Sequence, residues 1–297
     1  DGRLGLGAPC RDQPTPQRVV LPETVVQVAA GWSHSLALAA SGKVLCWGSS
    51  GFNQMGCLYE EEDAAGTEEE AARSQQQLVK RRLVPAPMAG LHSSIVVTCI
   101  AAGMRHSALV TQEGHLLTLG HGKFGELGHG DLATRSTPTL VAHLAESRLR
   151  VAQVACGQKH TVCLTAGGVP PTSSSKPKPR MIIRGTRHRR GETCHSTPQP
   201  VDVPANKVSK IVCGWSFTLI VADDGSSLFG LGRNNYGQLG LGDTTDRPRP
   251  TRIPSEAWND APIDKIVCGC EHTLLLAGGQ LFSWGWNEHG NLGVAWD

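Results

Sequence analysis

Hydrophobic residues along this chain fall in short runs bounded by glycine, with no helical periodicity. A typical stretch reads Val-x-x-Val/Ile followed by small residues and a glycine. A tight Gly-x-x turn comes next, then a second apolar run, a turn such as Ser41-Gly42, Glu113-Gly114 or Asp224-Gly225, and another strand-like segment such as Lys43–Trp47. Short apolar runs separated by Gly and Asp-Gly turns predict antiparallel hairpins. The fold class this implies is all-β.

The same pattern returns along the chain. One anchor is a glycine followed three residues later by histidine, then Ser/Thr and apolar residues: Gly31…His34, Gly103…His106, Gly157…His160 and Gly269…His272, with Gly214…Phe217 as a fifth copy carrying Phe in place of His. The steps between these positions are 72, 54, 57 and 55 residues, a period near 55 with one insertion of about 17. A second anchor follows the first, as Leu119-Gly120 with Gly125-Glu126-Leu127-Gly128, Leu231-Gly232 with Gly237-Gln238-Leu239-Gly240, and Trp284-Gly285 with Gly290-Asn291-Leu292-Gly293. Trp47-Gly48 with Gly51 to Gly56 is the looser first copy, and Leu4-Gly5-Leu6-Gly7 matches the end of the motif. Strand-only repeats of about this length are the signature of propeller blades.

Composition agrees with this reading. Glycine accounts for 35 of the 297 residues, against roughly 7% in average proteins. No run of apolar residues is long enough for a membrane-spanning helix, and a net charge of +2 is too small to make the whole chain a nucleic-acid binder. Cys156, Cys213 and Cys268 recur 57 and 55 residues apart, each before a glycine. Cysteines at a structural period read as small core residues in a reducing compartment, cytoplasmic or nuclear, rather than as disulfide partners. Charge is gathered into two segments. An acidic insertion at 57–84 holds Glu60-Glu61-Glu62-Asp63 and Glu68-Glu69-Glu70. A Pro/Ser-rich insertion at 169–196 holds a basic run from Lys176 to Arg190. Both read as solvated loops, with nuclear localisation or nucleic-acid contact as the alternative for the basic one.

The Gly232–Gly240 motif together with Cys-Gly-x-x-His-Thr resembles the regulator of chromosome condensation repeat family. The closing stretch, Cys268–His272 through Trp284–Gly290, is most similar to its secretion-regulating guanine nucleotide exchange factor branch. The resemblance implies a β-propeller whose usual form has seven blades, so about five units here predict an incomplete ring in one domain spanning 1–297. Residues 1–22 are then expected to supply outer-strand material to a blade lacking its inner part. The third unit loses its second anchor. One or two strands before Gly167, with Val154, Val162 and Leu164 as core, are expected there, then an irregular excursion to about Ser196 and re-entry near Val201.

Candidate chemistry is sparse. Residues His34, His106, His160, Phe217 and His272 sit in different blades at equivalent places, and Phe217 shows that the place does not require imidazole; they read as structural. Paired spacing for zinc is missing, no glycine motif precedes a helix that could cradle phosphate, and no nucleophile elbow occurs. No cofactor, metal or covalent catalysis is expected. Ultraviolet-sensing members of the family cluster Trp with Arg in Gly-Trp-Arg-His-Thr, but the matching turns here are Gly-Trp-Ser-His and Gly-Trp-Ser-Phe. The resemblance implies instead a monomeric protein-binding propeller that promotes nucleotide exchange on a small Ran-like GTPase. The alternative is a non-catalytic scaffold in secretion, cytoskeletal or ubiquitin-linked assemblies, with chromatin binding less favoured. Face loops would carry the contact, with Trp32, Asp131, Trp215, Asp243 and the turn Trp286-Asn287-Glu288-His289 as candidates.

Overall fold

The computed structural model describes residues 2–7, 12–56, 81–166, 181–184, 195–205 and 207–294. These form five antiparallel sheets in chain order. The first sheet is β1 (Val25–Ala30), β2 (His34–Ala39), β3 (Val44–Ser49) and β4 (Arg81–Pro87). The second is β5 (Val97–Ala102), β6 (His106–Thr111), β7 (Leu116–Gly120) and β8 (Arg135–Leu140). The third is β9 (Arg150–Cys156), β10 (Thr161–Ala166), β11 (Met181–Arg184) and β12 (Gln199–Val201). The fourth is β13 (Val208–Cys213), β14 (Phe217–Ala222), β15 (Leu228–Gly232) and β16 (Arg247–Arg252), and the fifth is β17 (Ile263–Cys268), β18 (His272–Ala277) and β19 (Gln280–Gly285). A short α-helical turn, α1 (Ala142–Glu146), joins the second sheet to the third.

Each sheet is a meander; in the first four the second strand is wholly or nearly buried, while β18 of the fifth alternates buried and partly exposed positions. In β6 every residue from His106 to Thr111 is buried, and so is every residue of β14. Both faces of these central strands are covered by neighbouring sheets, so their apolar residues run on without alternating, as in Leu109-Val110 and Leu219-Ile220-Val221. Core clusters accordingly cross between sheets: Leu36, Cys46 and Met55 of the first pack with Ile100 and Leu109 of the second. Gln27 stitches the first two inner strands, its Nε2 donating to Ile100 O (2.9 Å) and its Oε1 accepting from Ile100 N (3.0 Å). Gln153 accepts from Ile211 N (2.8 Å) between the third and fourth. Val154, Val162 and Leu164 are buried as expected.

Three expectations are corrected. Arg81–Val84, counted with the acidic insertion, belong to β4, where Ser49 pairs with Arg81 and Gly48 with Arg82. The rest of that insertion, 57–80, lies outside the described residues. In the basic insertion, Met181–Arg184 form a strand rather than part of an irregular excursion: Val162 pairs with Ile183 and Cys163 with Ile182 on one side, and Ile182 with Pro200 on the other. Three apolar residues would not stabilise a free hairpin. Set between two existing strands, however, they satisfy an edge of β10 whose N–H and C=O groups would otherwise lack partners. Re-entry at Gln199–Val201 agrees with expectation; the other residues of the insertion up to 194 lie outside the described ones. Finally, residues 2–7 and 12–22 supply no strand. Gly2–Gly7 instead form a turn docked on the first sheet, with Gly7 N donating to Leu83 O (2.9 Å).

That turn explains the second anchor. Trp47 Nε1 donates to Arg3 O (2.8 Å), and Trp284 Nε1 donates to Gln238 O (3.0 Å). A Gly-x-Leu-Gly turn thus lies across the tryptophan of the next sheet. Its last glycine must be glycine, because a Cβ on Gly5 or Gly240 would come within 2.9 or 2.8 Å of the indole nitrogen.

Candidate functional site

The recurring histidines form a belt between sheets. His34 Nε2 donates to Ser107 Oγ in the next sheet (2.9 Å), and Ser107 donates in turn to Gln54 O (2.6 Å). His106 repeats the arrangement with Thr161 (3.0 Å), which donates to Glu126 O (2.7 Å). Each hydroxyl spends its one proton on the carbonyl, so the imidazole must be the donor through Nε2. Burial pushes His34 down to about 4 and His106 down to about 3, which keeps both rings neutral. His160 Nε2 lies 3.2 Å from Thr218 Oγ1. At the next step Thr273 still donates to Gln238 O (3.2 Å) although Phe217 offers no imidazole. The carbonyl alone satisfies the hydroxyl, which is why Phe is tolerated. The preceding glycine allows the sheets to approach: a Cβ on Gly103 would meet the His106 ring and come within 2.7 Å of Gly157 O.

The thiols of Cys213 and Cys268 are also structural. Burial pushes Cys213 up to about 12 and Cys268 higher still, leaving both as neutral, unreactive thiols.

All nominated binding residues lie at one end of the sheets. The Gly-x-x turns between first and second strands open at this end, as do the described loops at 50–56, 121–134 and 233–246. Trp32 and Trp215 stand nearest the centre, with ring centroids 5.4 Å apart, and line a cavity of about 300 Å³ with Met104, Cys156 and Cys270. Trp32 is half exposed. The residue after each tryptophan is a serine, so this pair has no adjoining arginine in its own turns. Trp286 packs against Tyr236 (6.0 Å) and His289 (5.1 Å), and Glu288 is exposed beside them.

Other nominated residues are occupied by their own loops. Asp131 pairs with Arg135 (2.7 Å) and accepts from Ala133 N (3.0 Å). Asp243 pairs with Arg247 (2.5 Å) and accepts from Thr245 N (2.8 Å). The Arg135 and Arg247 guanidiniums hold both carboxyls below the usual range. Asn287 accepts from Leu292 N (3.0 Å) as Asn234 accepts from Leu239 N (2.9 Å). These three side chains fix loop shape.

Sequence reasoning missed a second strip on the same end, across the first three sheets. Arg105 stacks over Phe52 (4.3 Å) and Lys159 over Phe124 (4.3 Å). His121 lies between the two rings, 5.5 Å from Phe52 and 5.4 Å from Phe124. Beneath them His121 Nδ1 and Glu126 Oε1 form a buried pair at 2.7 Å. Glu126 Oε2 accepts from Phe124 N (2.8 Å), and burial pushes the Glu126 carboxyl up. The signal was available: the second x of Gly-x-x-His is Arg105 in the second copy and Lys159 in the third, and each faces an aromatic from the preceding repeat.

Among known proteins, the model for the regulator of chromosome condensation (RCC1) repeat matches residues 1–38, 113–164 and 226–276. A second model of the same description matches 25–54 and 208–238. The ultraviolet-B receptor UVR8 of Arabidopsis thaliana is 30% identical over 99% of this chain and 60% of its own length. The human E3 ubiquitin-protein ligase HERC2 is also 30% identical over 99% of the chain, but over only 6% of its own length. Among solved structures, Prp20p from Saccharomyces cerevisiae superposes with a TM-score of 0.68 at 20% identity, over 91% of this chain and 59% of that one. The chain therefore spans about three fifths of UVR8 and of Prp20p and a small part of HERC2. Five meander sheets, each with a Gly-x-x-His or Gly-x-x-Phe turn between its first two strands, and the repeat models that together match more than half of the sequence place this chain in the regulator of chromosome condensation (RCC1) repeat family of β-propellers.

Proposed function

We propose that this propeller binds a partner protein with the end carrying Trp32, Trp215 and Trp286, and that the partner is a small Ran-like GTPase whose nucleotide exchange it promotes. The observation that carries the reading is the gathering of aromatic side chains at one end of the scaffold, Trp32 and Tyr236 about half exposed and Trp215 and Trp286 partly so. Aromatic residues on rigid turns are the side chains that dominate protein interfaces. A solved relative, Prp20p, is described by its binding to Gsp1p and histones. Exchange would need no bond chemistry. The propeller would bind the nucleotide-free state better than the loaded one, and the GTPase's equilibrium would shift accordingly. Such a role belongs in the cytoplasm or nucleus. The test is release of fluorescent GDP from a panel of purified Ran-like GTPases. Acceleration by the folded protein, weakened in Trp32→Ala/Trp215→Ala, is expected. No acceleration on any member of the panel would overturn it.

A scaffold without exchange activity is the second reading. It is favoured by the two carboxylates Asp131 and Asp243, which are committed to Arg135 and Arg247 in their own loops rather than presented to a partner. Stable partners that include no GTPase would support it.

A further inference from the structure

The strip across the first three sheets has unspent charge. Neither Arg105 nor Lys159 makes an ion pair or a side-chain hydrogen bond among the described residues, although both are partly buried. Each is held by its stem and by an aromatic ring, so little rotamer freedom is left to lose on binding. They stand on successive sheets and share one cavity of about 190 Å³ with Met104, His121, Phe124 and Gln158. Glu126 on its floor makes no ion pair with either cation, because its oxygens are engaged by His121 Nδ1 and Phe124 N. Two fixed cations on either side of a small cleft form a receptor for an anion, and a carboxylate suits the bidentate reach of guanidinium.

We propose that Arg105 and Lys159 clasp an acidic side chain from an extended segment of a partner protein, with Gln158 and His121 beside it. The inference rests on reading this end of the propeller as its partner surface, and it names the chemistry of that partner. Nucleic acid fits the site less well. Base stacking needs open aromatic faces, but the faces of Phe52 and Phe124 are already covered by Arg105 and Lys159. Two cations over a buried carboxylate also make a poor track for a run of phosphates, whose binding gains with every further cation.

Three fluorescent probes test it: a peptide alternating Glu with Gly and Ser, a single-stranded oligodeoxynucleotide, and vesicles containing phosphatidylserine. Each is titrated against the intact protein, against Arg105→Gln/Lys159→Gln, and against Lys43→Gln/Lys207→Gln, which removes the same charge from the opposite end. The expected result is peptide binding weakened about tenfold or more by the first double variant only, with an unchanged melting temperature. If that variant unfolds, Lys159→Gln alone must still weaken the peptide severalfold, since it leaves Arg105 and its stack in place. The proposal is overturned if no peptide binding is measured, if both double variants weaken it equally, or if the oligonucleotide or the vesicles bind tighter than the peptide through the same two residues. Exchange activity is read separately. Its absence with peptide binding intact would remove the GTPase reading alone, whereas exchange that survives without peptide binding would remove this one alone.

Discussion

The second and third sheets and the fifth fill one repeat position with opposite charge, while the first and fourth carry Ser33 and Ser216 there. Before the histidine stand Arg105 and Lys159 in the second and third sheets, but Glu271 in the fifth. In the Gly-x-Leu-Gly turn the acid is Glu126 in the second sheet, while the fourth has Gln238. The consequences differ. On the first strip the acid is turned inward and consumed by His121, which leaves two cations free of ion pairs among the described residues. On the second strip Glu271 is also buried, but it accepts from Gln238 Nε2 (2.6 Å) and lies 3.8 Å from Arg233, so its charge is directed at a cation. Arg233, stacked 5.7 Å from Tyr236, is thereby partly neutralised. One scaffold thus presents a basic strip and a near-neutral aromatic strip side by side. The fold resides in the residues the repeat fixes, while those it leaves free set the charge of each strip.

The largest effect should come from breaking the fixed part. His106→Ala opens a cavity between two sheets and should cost about 3 kcal/mol or more in urea unfolding. His106→Phe, the substitution the chain itself makes at Phe217, should cost about 1 kcal/mol, because Thr161 keeps its bond to Glu126 O. Equal losses for the two would show that the belt depends on imidazole after all.

Acid should expose the same belt. Unfolded histidine takes up a proton near 6.5, whereas the buried rings hold off to about 4 for His34 and about 3 for His106. Between those values the unfolded state binds more protons, so stability is full above about pH 6.5 and drains away as pH falls toward 4. Glu126 and Glu271, raised by burial, act in the opposite sense. Because they are common to both proteins, the difference between wild type and His106→Phe isolates the ring. The wild type should lose more stability than the variant from pH 7 to pH 4.5. Parallel curves would contradict the account.

Two smaller changes move one strip toward the other. Glu271→Lys should give the second strip an unpaired cation and tighten binding of the acidic peptide severalfold, measured by anisotropy. Unchanged binding would mean that charge at this position does not decide the partner. Glu126→Gln copies Gln238 and keeps an acceptor for Phe124 N, so stability should shift by no more than about 1 kcal/mol. A large loss would show that the His121 pair, rather than the turn, holds the second sheet.

The fold was legible because it is written five times. A glycine that must let two sheets touch, a hydroxyl that must reach a carbonyl and an apolar central strand recur at a fixed period, and no single copy is needed to see them. Met181–Arg184 escaped notice because a short strand between two others gains its stability from edges that only the folded sheet supplies. The docked turn at Gly2–Gly7 escaped for a related reason: its partner, Trp47, lies 40 residues and more along the chain. At the candidate site the tryptophan pair was anticipated one residue at a time, but its 5.4 Å contact joins the first and fourth repeats, which no spacing reveals. The stacks of Arg105 on Phe52 and Lys159 on Phe124 each cross from one repeat to the next, so reading repeats singly conceals them.

The account stands or falls on which end of the sheets meets the partner. Hydrogen–deuterium exchange of the intact protein, alone and with a nucleotide-free Ran-like GTPase, measures this directly. Protection is predicted in the turns at 31–33, 103–105, 157–159, 214–216 and 269–271 and in the loops at 49–56 and 233–243, with the opposite turns at 40–43, 112–115 and 223–227 unchanged. Protection confined to those opposite turns, or none at either end, would contradict it.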